Sequence, residues 1–224
     1  MRIVSVLAII LVFTTSASSQ RSGHSIDQWL SPDRFTAGSN VDGTELLNLL
    51  NELRSNPRSW RVFVDTLISR WNNGRPPRML QHLIGTEGFS LLTEVRAFLD
   101  TVTPAPRLQL HGCLRRVADA HALDVAQHPN GHPHRSSNGH TLMQRLTAQC
   151  KGVGTFGECV DLLSASASTV ILRFLFDPDV PGRGHRATLF DPDYRSVGVG
   201  GAPCMNHPVL GTGFVVVLTF ADVD

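Results

Sequence analysis

Gly213-Phe214-Val215-Val216-Val217-Leu218-Thr219-Phe220-Ala221 is an almost unbroken apolar run. A strand with one wet face alternates apolar and polar residues; this run does not, and it reads as a strand buried on both faces. Two further strands are expected, near Thr155 to Leu162 and Ser196 to Gly201. Helical patterns surround them. After Asp42, Glu45 has capping-box spacing and Leu46, Leu49, Leu50 and Leu53 share one face. Asn56-Pro57 ends that helix and caps the next, whose stripe is Trp60, Phe63, Val64, Leu67, Ile68 and Trp71. Asn72-Asn73-Gly74 and Pro76-Pro77 close it in a loop. More helices are expected over Ser90 to Val102, from Leu110 to Val125, over Thr141 to Ala148 and over Ser164 to Phe176. These stripes are core packing. A few strands flanked by several helices imply a sheet held between helical layers.

The N-terminus reads as an export signal: Met1-Arg2, an apolar run from Ile3 to Phe13, then small residues Thr14 to Ser19. That run is about half the length a bilayer-spanning helix needs, so no transmembrane anchor is expected. Cleavage after Ser19 is favoured, with Ala17 second. Residues 20–41 read as a flexible leader and residues 42–224 as one domain, long enough for a sizeable core. Lysine plus arginine total 20 against 19 acids, for a net charge of +1. Without a basic excess to hold a phosphate backbone, nucleic acid is not an expected partner.

Cys113, Cys150, Cys159 and Cys204 all follow the signal, and an exported chain with an even count is expected to oxidise all four. Four cysteines allow three pairings, which sequence does not decide between. The turn Lys151-Gly152-Val153-Gly154 favours a local Cys150–Cys159 bridge, leaving Cys113 with Cys204. No spacing suits a closed structural zinc site.

The chemistry-bearing residues cluster in the second half. Residues 128–140 form a loop with His128, His132, His134 and His140; Glu158 lies in Gly157-Glu158-Cys159; Asp177 ends a helix; His185 lies in Gly182-Arg183-Gly184-His185-Arg186. Imidazoles are common metal ligands, and carboxylates ligate or orient them. Taken singly, each is better explained as a solvated loop residue or helix cap. Ala118-Asp119-Ala120-His121, His134 through Gly139 to Arg145, Gly157-Glu158-Cys159, Asp177 through Arg186, Leu189 through Tyr194 and Val197-Gly198-Val199-Gly200 occur in one order. Together they resemble the CAP superfamily of cysteine-rich secretory, antigen 5 and pathogenesis-related proteins (the SCP domain), especially its bacterial-like branch.

That resemblance implies an α+β fold: a three-layer α-β-α sandwich with a mostly antiparallel sheet. It also implies an extracellular protein with a cleft holding His134, Glu158, Asp177 and His185. Asp177 stands where the family often has Glu, and Cys159 where Asn commonly follows Gly-Glu. His121 matches a family position but shares its helix's apolar stripe, and reads as a hydrogen-bonded core histidine. Two functions follow. One is a binding protein whose cleft takes a divalent metal such as Zn²⁺ on His134 and His185, a lipid or an extracellular protein segment. The other is a secreted protease- or esterase-like hydrolase with Glu158 or Asp177 as general base. Against the second, the chain has no Gly-x-Ser-x-Gly and no His-Glu-x-x-His.

Overall fold

Asp42 opens the first helix by accepting the amide hydrogens of Thr44 (2.7 Å) and Glu45 (3.3 Å). The computed structural model describes residues 41–75, 80–164, 166–207 and 211–223. The expected signal, the leader up to residue 40 and the Pro76-Pro77 pair lie outside them. The first helix, α1, spans Gly43–Ser55; a 3-10 turn (Pro57–Trp60), α2 (Arg61–Asn72), α3 (Leu80–Ile84) and α4 (Phe89–Thr101) follow. Then come β1 (Gln109–Leu110), α5 (Gly112–Gln127), α6 (Leu142–Gln149), β2 (Val153–Ser164), α7 (Ala167–Phe176), α8 (Gly184–Phe190), β3 (Ser196–His207) and β4 (Gly211–Val223).

The strands form one sheet in the order β1-β3-β4-β2. β4 is antiparallel to both β3 and β2, while β1 adds one short parallel pairing to β3. The apolar run of β4 is buried on both faces, as its sequence requires. Phe214, Val216, Leu218 and Phe220 join the core built by α1, α2, α4 and α7. Val215 and Val217 pack with Ala118, Ala122 and Val125 of α5, and Ala221 packs with Leu146 of α6. Helices therefore cover both faces, giving the α-β-α sandwich.

One contact fixes the second layer. A side chain at Gly198 would place its Cβ 2.1 Å from the Leu114 carbonyl carbon, and one at Gly200 would come 2.2 Å from that of Ala118. Helix α5 thus lies directly on the backbone of β3. Pro203 is tolerated within β3 because odd-numbered residues turn their backbone groups toward the β1 side, where Arg195 and Val197 accept from Gln109 and His111. α3, α8 and β1 carry no periodic signal, being too short to show one.

The cysteines depart from expectation. Cys113, in the first turn of α5, is bonded to Cys150, the C-cap of α6. Cys159 and Cys204 are buried free thiols. The anticipated Cys150–Cys159 bridge fails because strand alternation turns Cys159 into the core beneath α7, while Cys150 packs with α5 and α6 on the opposite face. Cys204 lies under the middle of α5, beside Ala118 and Ala122.

Gly198→Ala is expected to cost at least about 2 kcal/mol, because the clash is with helix backbone that cannot change rotamer. A lowered thermal midpoint, with the helical signal retained below it, checks this.

Candidate two-histidine cleft

Gly157-Glu158-Cys159 lies on β2, the strand that ends the sheet, and each residue has a different task. Gly157 faces α8, where a Cβ would meet the Tyr194 hydroxyl at 2.6 Å and Thr188 at 3.2 Å. Glu158 turns toward α5 and α6. Its Oε2 accepts from Arg145 Nη2 at 2.6 Å, and its Oε1 lies 3.1 Å from His134 Nδ1 and 3.7 Å from His121 Nε2. Cys159 turns back, its Sγ 3.9 Å from the His185 carbonyl oxygen, and burial pushes its thiol pKa well up. It is an inert core residue.

Asp177 occupies the C-cap of α7 in the left-handed region (φ 51°), a conformation that Asp adopts more readily than most residues. From there the short side chain reaches the start of α8. Oδ2 accepts the backbone amides of His185 (2.9 Å) and Arg186 (3.3 Å), and Oδ1 lies 2.7 Å from His185 Nδ1. One carboxylate thus caps a seven-residue helix and orients its imidazole, which is why Asp serves here without a longer Glu.

His134 and His185 come together, with ring centroids 6.4 Å apart. Phe174 lies beside His185, its ring centroid 5.1 Å from the imidazole. Each Nδ1 faces a carboxylate oxygen and so carries the hydrogen, leaving the Nε2 lone pair free. The two rings arrive from opposite helical layers and meet beyond the β2 edge. His121 is 1% exposed and donates from Nε2 to the Pro133 carbonyl at 2.8 Å. Burial pushes its pKa down, with Glu158 opposing. It is a neutral core histidine, and it fastens the loop that carries His134.

The profile of the CAP family, described as the cysteine-rich secretory protein family, matches residues 47–220. The chain belongs to the CAP family. No curated protein matches. Three solved structures are similar. An extracellular protein with an SCP domain from Bacillus anthracis is 22% identical, over 52% of this chain and 34% of that one, with a TM-score of 0.41. An outer surface protein of Borrelia burgdorferi is 19% identical, over 62% and 95%, with a TM-score of 0.41. A cysteine-rich secretory protein of Staphylococcus aureus is 16% identical, over 59% and 36%, with a TM-score of 0.37. The chain thus spans about a third of the first of these proteins. No described helix is long and apolar enough to cross a membrane.

In this CAP fold, sequence reasoning overlooked the residues that hold the four named ones. Arg145 is the buried counter-charge of Glu158, and also donates to the His140 carbonyl at 3.2 Å. Arg186 donates to the carbonyls of Leu175 (2.6 Å) and Phe176 (2.7 Å) and to Glu94 (2.6 Å), fixing the turn before Asp177. Arg183 binds Glu87 and Glu94 across the same turn, holding the Glu87 carboxyl down to about 2. A signal existed for Arg145: a carboxylate on a buried strand needs a cation, and Arg145 ends one of the family-like motifs.

Two outcomes are expected. Glu158→Gln strands the Arg145 guanidinium and costs about 3 kcal/mol in urea denaturation. His121 is depressed in the folded state, so the unfolded chain takes up its proton first. The stability it confers is present above about pH 6.5 and lost as pH falls toward the folded value. His121→Gln flattens that acid limb of the stability–pH curve.

Proposed function

We propose that this is an exported CAP protein, with residues 42–224 acting as one domain, whose cleft reversibly binds a divalent cation such as Zn²⁺ through His134 and His185. One observation carries the reading: both imidazoles are held at Nδ1 by a carboxylate, and their ring centroids lie 6.4 Å apart. An ion shared by both Nε2 atoms needs ring centroids about 5–6 Å apart. The 6.4 Å separation is slightly wider, so a small closure of the His134 ring, 40% exposed in its side chain, brings both rings to one ion. Among the described residues no group of three or more His, Cys, Asp or Glu is arranged to hold a metal ion. Two protein nitrogens would then hold the ion, with water or a ligand completing its shell; the ion supplies Lewis acidity there.

Hydrolysis finds less support. Ser137 Oγ donates to Asp124 at 2.6 Å and Ser136 Oγ lies 3.5 Å from Arg145. Among the described residues, neither serine is hydrogen-bonded to His134 or His185. Glu158 and Asp177 are both committed to structural partners, which leaves neither as a general base. Export is supported by the apolar run at 3–13 and by a disulfide of the kind that persists outside the cytosol.

Calorimetry separates cleft from loop. His185→Ala is expected to weaken zinc binding at least tenfold, while His128→Ala/His132→Ala leaves it near wild type. The opposite pattern makes the loop the chelator and ends the cleft reading.

A further inference from the structure

We propose that the Cys113–Cys150 bridge is a redox lock on this site. Closed, it keeps the Arg145 helix over Glu158; opened by a dithiol, it releases that helix and the histidine loop. The proposal rests on the binding reading for its consequence, and on geometry alone for its mechanism.

The two cysteines are 37 residues apart, and the segment between them carries His121, Pro133, His134 and Arg145. It therefore holds the whole of the site that comes from the second helical layer. Its last element, α6, has eight residues, of which Arg145 and Leu146 are buried. A helix this short has little stability of its own. It is tied by the Thr141–Gln144 capping box, by Arg145 on Glu158 and on the His140 carbonyl, by Leu142 and Leu146 packed with Leu114, Val117 and Ala221, by Gln149 accepting from Arg116 at 3.4 Å, and by the bridge at its C-cap. Removing the bridge takes away the one covalent tie, at the end farthest from the capping box.

Both bridge cysteines are 8% exposed, more than Cys159 and Cys204, and a neighbouring side chain favours opening. His111 Nδ1 lies 3.2 Å from Cys113 Sγ. In thiol–disulfide exchange, a reductant thiolate attacks one sulfur and expels the other as a thiolate, faster when the leaving sulfur is stabilised. Attack at Cys150 Sγ breaks the S–S bond, forms a mixed disulfide and expels Cys113 as a thiolate 3.2 Å from the His111 ring nitrogen, with a proton from that ring or from water completing the thiol. The second thiol of the reductant then displaces Cys150. The dithiol ends as a disulfide, and the protein gains two electrons and two protons as two thiols. Cys159 and Cys204, 0% and 2% exposed, offer the freed thiols no partner unless the core opens.

Hydrogen exchange on the full mature chain, without metal, tests the lock in its oxidised and phosphine-reduced forms. Cys113→Ser/Cys150→Ser serves as a permanently open form. Amides 142–149 are expected to exchange at least tenfold faster when the bridge is open, with β2 and β4 unchanged. Equal exchange at 142–149 in both states, or a matching loss of protection in β4, overturns the lock. Dithiol reduction of His111→Gln is expected to run several-fold slower than wild type; equal rates overturn the exchange site. A zinc titration of both forms then reads the consequence, expected as a tenfold or greater loss on opening. If even the oxidised form fails to bind zinc, the cleft reading fails while the exchange result still decides the lock.

Discussion

A carboxylate almost sealed from solvent must be met by a cation and by hydrogen-bond donors, or it destabilises the fold that buries it. Glu158 is that group, with its side chain 3% exposed. Arg145 answers one oxygen and His134 the other, with His121 behind. Three segments distant in sequence converge because one side chain on the terminal strand compels them to. The loop between α5 and α6 is long and polar, and has little apolar surface with which to hold its own shape. It is held from below, by His121 on the Pro133 carbonyl and by Arg145 on that of His140.

The other half of the site is built by the opposite means. Asp177 and His185 are eight residues apart, on the turn between two consecutive helices, and their geometry is largely local. That turn is pinned from outside by Arg183 and Arg186 against Glu87 and Glu94. A surface ion pair alone contributes little. Here the guanidiniums also take up the carbonyls at the end of α7, of Leu175, Phe176 and Asp177, so they satisfy backbone groups that the helix itself leaves open.

The sequence made the sandwich legible where a signal is repeated or local. Asp42 and the leucines of α1 declare a helix through cap and period, and residues 213–221 declare a two-faced strand through unbroken apolarity. The segments α3 and α8 lack any period; α8 is capped instead by the Asp177 side chain from the turn just before it. That His134, Glu158, Asp177 and His185 would come near one another was expected only from the resemblance, since no local pattern joins His134 to His185. Arg145 was missed because its role depends on what faces it across α6 and β2. The cysteine pairing was misjudged because proximity along the chain was weighed above strand parity, and parity sends Cys159 to the far side of the sheet.

His134 hangs from the layer of α5 and α6, and His185 from the layer of α7 and α8. The gap between the rings is therefore a measure of the thickness of the sandwich. Enlarging or trimming side chains deep between sheet and helices, such as Phe176 or Leu218, moves one layer relative to the other and resets the bite of the cleft without touching either histidine. The core in this fold acts as a spacer, and its volume sets how far apart the two rings stand.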